Sequence, residues 1–307
     1  MNVPDAEPLD EAAVRRRIER HPVEGSVPAM REAFAALADL PPRENGTTVR
    51  RAVLNGLDTL SVTMASARKE APLPVVHLHG GGYVFGSPDT HERLARVLCS
   101  AANGVGAPEI AVHVPAYPLA PEHAWPAQLD AVLDWLSVLD DRQPFALSGD
   151  SAGGHLALCL ALALSPPLRE QLAGIALFSP NTSRDYARSE SRRANAARDA
   201  MNDPESDDRL ACMAFGETDA RSPAQNVTRR DLGALPPLHI DVGTAEILLD
   251  DSLQLARAAA LADVEVELRS EPGAFHLRQL FAQHWSSADT SLERAGRWLG
   301  ERLCKQA

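Results

Sequence analysis

The sequence predicts an α/β protein: a mostly parallel sheet of eight strands, opened by an antiparallel hairpin, flanked by helices and covered by a helical cap. Three observations carry this expectation. From residue 75 onward, short apolar runs alternate with Ala/Leu-rich helical patterns, which implies right-handed crossovers and parallel strands. Ahead of that alternation, two strand-like runs flank Asn55-Gly56, the strongest short-range hairpin signal. Two stretches of helical pattern, one before every strand and one within 180–235, stand outside the alternation and cannot serve as sheet crossovers.

Taken in order, residues 1–8 should be loose, and 9–21 and 28–40 read as helices. In the second, Met30, Phe34, Leu37 and Leu40 recur at helical spacing before Pro41-Pro42 stops it. The hairpin strands are 47–53 and 57–63. A buried strand at 75–79 runs into Gly80-Gly81-Gly82-Tyr83, followed by a helix over 88–102 and a strand over 109–114. A helix then reaches Leu133 and Trp135. The short run Phe145 to Leu147 leads through Gly149-Asp150-Ser151-Ala152-Gly153 into a helix ending near Ser165, and 172–178 is the next strand.

The segment 180–235 is rich in Arg, Asp and Asn and is too long for a simple connection. Its helical pieces, about 189–200 and 206–214, are expected to join residues 1–45 as the cap over an α/β domain spanning 46–307. The pattern resumes with a strand at 237–243 and a helix at 248–262. The run 264–269 alternates strictly and should be half exposed near the sheet edge. A helix over 284–304 ends the chain.

Composition narrows the classes of partner. The 307 residues are 45% hydrophobic and carry 42 acidic against 30 basic side chains, a net charge of −12. Such a surface disfavours nucleic acids and anionic membranes. No apolar run is long enough for a membrane span, and the N-terminus lacks the pattern of a secretory leader. Cys99, Cys159, Cys212 and Cys304 are scattered, with no Cys-x-x-Cys spacing. They predict neither a disulfide framework nor a zinc ribbon, and a cytoplasmic location fits. Cys99 and Cys159 fall on apolar helical patterns and should be buried thiols.

The chemistry concentrates at predicted strand ends. Ser151 sits between a strand and a helix, with glycines two residues before and after it; this allows a tight turn that lifts a hydroxyl above the sheet. A nucleophilic serine needs a base, a group that orients the base, and donors for an oxyanion. Gly81 and Gly82, with the N–H of Ala152, offer such donors. A phosphate loop is the weaker reading, because no Gly-x-Gly-x-x-Gly or Gly-Lys-Ser/Thr follows. His77-x-His79 lacks a visible third ligand, so neither metal nor organic cofactor is expected.

Of ten histidines, His276 alone lies on a loop between the last strand and last helix, after the serine in chain order. His21 and His91 read as exposed, His77, His113 and His239 as strand residues of the core, and His284 as opening the last helix. The acid should follow the strand ending at Gly243. Glu246 lies on the loop; Asp250 and Asp251 fall a turn into the helix.

At these residues the chain resembles the hormone-sensitive-lipase-like branch of the α/β-hydrolases, the bacterial carboxylesterases. The matching pieces are His79-Gly80-Gly81-Gly82-Tyr83, Tyr117-x-Leu119-Ala120-Pro121-Glu122-His123, Gly149-Asp150-Ser151-Ala152-Gly153-Gly154, the run from Val242 to Ser252, and Gly273-x-x-His276. The resemblance implies Ser151 as nucleophile, His276 as base and Glu246 as acid, the last where most members carry Asp. It implies Gly81, Gly82 and Ala152 as the oxyanion hole, with His79, Gly80 and Asp150 in the supporting loop. Short- to medium-chain carboxylic esters, cleaved through an acyl-enzyme, are the implied small-molecule substrates. A homodimer through strand 264–269 is also implied, with Glu265 and Glu267 blunting that edge. His155 stands where Asn is commoner and Pro118 where Arg is commoner. The alternatives are a non-catalytic small-ligand receptor on the same fold, against which His276 argues, and a lactone or amide hydrolase or acyltransferase.

Overall fold

The computed structural model describes residues 8–65, 71–104, 109–139, 142–185 and 189–307. The expected looseness of the N-terminal residues falls, for residues 1–7, outside the described residues. The eight strands are β1 (Thr47–Leu54), β2 (Leu57–Met64), β3 (Leu73–Leu78), β4 (Ile110–Pro115), β5 (Phe145–Asp150), β6 (Leu172–Phe178), β7 (Leu238–Gly243) and β8 (Val266–Glu271). They form one sheet in the order β1-β2-β4-β3-β5-β6-β7-β8. β2 pairs antiparallel with both β1 and β4, and all later neighbours are parallel. The strand order reverses at β3, between β4 and β5. In open α/β sheets ligands collect at the carboxyl ends of strands beside such a reversal.

The helices are α1 (Glu11–Arg20), α2 (Val27–Ala38), α3 (Glu92–Asn103), α4 (Ala127–Trp135), α5 (Ala152–Ala163), α6 (Pro166–Gln171), α7 (Glu190–Ala194), α8 (Pro204–Phe215), α9 (Leu249–Leu261) and α10 (Ser286–Gln306). β3, β5, β6 and β7 are buried along their whole length. That burial follows from helices on both faces. One core cluster brings Val75, Val112, Leu98 and Leu299 together from α3, α10 and the sheet. The other joins Leu78, Leu147, Leu156 and Ile240 on the side of α5 and α9. β8 is half exposed at the sheet edge, as its alternation predicts. No helix among the described residues is long and apolar enough to cross a membrane.

Several elements differ from the sequence reading. α6 fills the link between the serine helix and β6, where Pro166-Pro167 supply its first turn. The expected helix 189–200 ends at Ala194. Asn195 caps it at φ −103° and ψ 0°, and its side-chain amide donates to the carbonyls of Thr244 (3.1 Å) and Glu246 (2.8 Å). The last helix starts at Ser286, and His284 before it donates to the Pro41 carbonyl at 2.8 Å.

Arg93 has no place in a sequence-level core, yet it is buried on α3. Its guanidinium donates to the carbonyls of Ala38 (2.7 Å), Leu40 (2.9 Å) and Leu280 (2.8 Å), tying the end of α2 to the turn Arg278–Phe281. Burial draws it down to about 10, which still leaves it charged at neutral pH. Arg93→Ala leaves those carbonyls without their donor, and we expect a loss of about 3 kcal/mol. Urea unfolding against wild type checks this; a loss within about 0.5 kcal/mol, typical of a surface site, refutes it.

Candidate active site

β5 delivers Ser151 to the carboxyl end of the sheet, and α5 begins at the next residue. Ser151 has φ 53° and ψ −119°, a region that costs a non-glycine residue about 1–3 kcal/mol. The surroundings hold it there. Its N–H donates to the Phe178 carbonyl at 2.9 Å, and its carbonyl accepts from His155 (3.2 Å) and Asn181 (3.0 Å). A side chain at Gly153 would overlap the Leu78 carbonyl oxygen, so α5 packs against β3 only with glycine there.

Ser151 Oγ lies 2.9 Å from His276 Nε2, and His276 Nδ1 lies 3.0 Å from Glu246 Oε2. All three side chains are buried. The other oxygen of Glu246 accepts from the Ser179 hydroxyl at 2.7 Å and from the Gly243 N–H. An acceptor at Oε2 fixes the proton on Nδ1 and leaves Nε2 free to accept from the serine. Burial lowers the affinity of His276 for a proton, but the hydrogen bond and charge of Glu246, helped by Asp199 and Asp150, outweigh it and leave a net upward shift. Such an arrangement can take a proton from a hydroxyl and return it to a leaving group.

Asp250 and Asp251 point elsewhere. Asp250 accepts from the Ser191 N–H at 2.8 Å. Asp251 accepts from the N–H groups of Thr182 (2.9 Å) and Ser183 (2.8 Å) and pairs with Arg192. Both carboxylates anchor the insertion, so only Glu246 of the three sequence candidates faces the histidine.

The glycine run crosses above β3. Gly81 has φ 114°, and a Cβ there would collide with the Phe85 carbonyl; the loop is closed by the Phe85 N–H, which donates to the Gly81 carbonyl at 3.0 Å. Among the described residues the N–H groups of Gly81 and Gly82 meet no acceptor, so they stay available to one. Behind the loop, Asp150 accepts from the Gly80 N–H (3.1 Å), His77 Nε2 (3.1 Å) and His91 Nε2 (3.3 Å). His91 is therefore buried, against the expectation of an exposed helical residue, because it supplies a donor to this carboxylate. Burial pushes Asp150 upward, yet His91 and His77 more than compensate and hold it well below the usual carboxylate range. His77 itself is lowered chiefly by burial, and its Nδ1 lies 3.1 Å from Ser148 Oγ. His77, His91 and Asp150 converge within 4.8 Å of one another. No such third and fourth partner was visible beside His77-x-His79 in the sequence. His79 instead stacks on Tyr117 at 4.2 Å, and burial lowers it to about 3.

Asp199 is the functional neighbour that sequence reasoning missed. Its carboxylate accepts from the N–H groups of Ile247 (3.0 Å), His276 (3.2 Å) and Met201 (3.2 Å). It thus joins the insertion to the loops that carry Glu246 and His276. Burial raises its pKa, as does Glu246, against the opposing pull of His276 and the N–H donors. The only sequence-level signal was an acid within an Arg/Asp-rich stretch, which says nothing about the two distant backbone partners, Ile247 and His276.

A cavity of about 300 Å³ opens on Ser151, His276, Gly81 and Gly82. Met30 and Phe34 line it from α2, Leu210 from α8, and Phe85 and Leu277 from the two loops. His155, at the unusual position, is walled off beneath this region. It meets the Tyr83 hydroxyl at 2.7 Å amid Trp125 and Phe215.

The sequence profile of a family described as the alpha/beta hydrolase fold matches residues 75–280. An esterase of Acinetobacter venetianus is 31% identical over 269 residues, covering 86% of each chain. The carboxylesterase NlhH of Mycobacterium tuberculosis is 34% identical over 218 residues, 66% of this chain and 65% of that one. The crystal structure of an esterase from the bacterial hormone-sensitive lipase family superposes with a TM-score of 0.85 at 28% identity, over 95% of this chain and 97% of that one.

Proposed function

The chain belongs to the α/β-hydrolase family, in its hormone-sensitive-lipase-like branch of carboxylic ester hydrolases, and from that premise we propose that it cleaves short- to medium-chain esters through an acyl-enzyme on Ser151. Ser151 Oγ attacks the ester carbonyl while His276 Nε2 takes its proton. The oxyanion is received by the N–H groups of Gly81, Gly82 and Ala152. His276 then protonates the leaving alcohol. Water, deprotonated by the same nitrogen, adds to the acyl carbon and releases the acid. Glu246 keeps His276 in the required tautomer and stabilises its cation.

The observation that carries this reading is the unbroken path from Ser151 Oγ through His276 to Glu246, 2.9 Å and 3.0 Å long, beside donors that meet no acceptor among the described residues. The chain-length range is supported by the cavity, whose volume of about 300 Å³ is at the small end for ligand pockets. We further read residues 1–45 and 180–235 as a cap, because α1, α2 and α8 supply much of that cavity's wall.

A panel of ethyl esters from acetate to laurate tests the reading. The specificity constant kcat/KM should peak between propionate and hexanoate and fall at least about tenfold by laurate. A fluorophosphonate should add to Ser151 and no other residue, as read by peptide mass. Turnover that survives complete labelling of Ser151 refutes the mechanism, and a rate that climbs steadily to laurate refutes the chain-length range.

A further inference from the structure

Among the described residues, charged groups that line the cavity interior have partners, with one exception. Asp199 accepts from three N–H groups. Asp207 is bound by Asn181 and Arg192 and lies near Arg184. Asp203 caps α8. Glu19 and Glu24 are exposed. Arg209, half-buried on α8 and lining the same cavity as Ser151 and His276, pairs with no carboxylate among the described residues. Among the described residues its Nη2 meets only the Met30 sulfur, at 3.5 Å, and its Nε is buried with no acceptor. A thioether is a weak acceptor, and a partly desolvated guanidinium gains little from it.

The position of this group gives it a use. Leu210, the next residue, packs on the oxyanion loop so closely that a Cβ at Gly82 would lie 2.6 Å from its Cδ1. Arg209 therefore stands on α8 one residue from the oxyanion-loop contact, and it lines the same cavity as Ser151. A planar guanidinium matches a carboxylate through two parallel N–H donors.

Resting on the ester-hydrolase reading above, we propose that Arg209 is a substrate-binding residue for an ionised carboxylate, and that this chain takes short esters bearing a second, free carboxylate. The ester end meets Ser151 while the carboxylate meets Arg209. The carboxylate replaces the missing acceptor, and no other group in the cavity needs to change its partners.

Two matched pairs of esters test this on the purified full chain. Monoethyl glutarate against ethyl pentanoate places the charge on the acyl side. 4-Acetoxybutanoate against butyl acetate places it on the alcohol side. In at least one pair the charged ester should have the higher kcat/KM, by about tenfold or more, expressed mainly in KM. Arg209→Gln should shrink that charged-to-neutral ratio by about tenfold, Arg209→Lys should keep part of it, and Arg209→Glu should invert it. Ratios at or below one in both pairs, or an Arg209→Gln variant that slows both members of a pair alike, overturn the assignment while leaving ester hydrolysis intact. Failure of wild type to cleave any of the four esters overturns the ester reading itself, and this inference with it.

Discussion

Ser151→Ala is expected to remove ester hydrolysis, lowering kcat roughly 10⁴-fold or more, while the protein remains folded. Alanine keeps the strained backbone of the turn and loses only the hydroxyl that lies 2.9 Å from His276 Nε2. Ser151→Gly should be equally inactive but more stable. Glycine adopts φ 53° without the steric penalty, and the gain should be about 1 kcal/mol after the extra chain entropy of glycine is counted. Two measurements decide the matter: initial rates on a butyrate ester and the urea midpoint. Residual turnover above a hundredth of wild type in Ser151→Ala would remove the serine from the chemistry. A less stable glycine variant would show that the turn stores no strain.

Glu246→Gln is expected to lower kcat roughly 10³-fold, with little change in fold. Glutamine Oε1 can still accept from Ser179 and Gly243, as glutamate does. Its amide then faces His276 Nδ1 and donates to it. That moves the histidine's proton to Nε2, where the serine needs an acceptor. The pH profile carries a second, independent mark. His276 is a base only when neutral, and in wild type its proton is held above the ordinary value chiefly by the bond and charge of Glu246, against burial. The rising limb of kcat/KM should therefore lie above pH ~6.5 in wild type. Without that charge the limb should move to lower pH. Asp250→Asn and Asp251→Asn should retain kcat within about tenfold, because their carboxylates hold Ser191, Thr182 and Ser183 rather than the histidine. A larger loss at Asp250 or Asp251 than at Glu246, or a limb that moves upward in Glu246→Gln, sinks the acid assignment.

What could be read from the sequence was whatever local pattern encodes. The strand–helix alternation, the Asn55-Gly56 hairpin and the edge character of β8 all write their geometry into neighbouring residues. So in part does the Ser151 turn: a Cβ at Gly149 would meet the backbone of Gly153 and Gly154, although Gly153 answers to Leu78 on β3. The placement of Glu246 and His276 beside Ser151 was legible because each follows a strand in a fixed order. The missed residues share a different property. Arg93, His91 and Asp199 are polar side chains whose partners are backbone or carboxylate groups remote in sequence, up to 187 residues apart for Arg93 and Leu280. Composition assigns such residues to solvent. Only the fold reveals that they are enclosed with complements. Asn195, at the end of α7, is another such residue: its side-chain amide reaches the carbonyls of Thr244 and Glu246, about 50 residues on.

Asp199 belongs to the stretch that walls the cavity, yet it engages the backbone beside Glu246 and at His276. This limits how such a protein can diversify. A roof joined to the sheet only through its ends could be traded between relatives as an independent module, changing diet without touching the engine. Here one carboxylate belongs to both. On the proposed mechanism, a transplanted roof must bring its own acceptor to the same spot, so the choice of substrate and the alignment of the chemistry are inherited together.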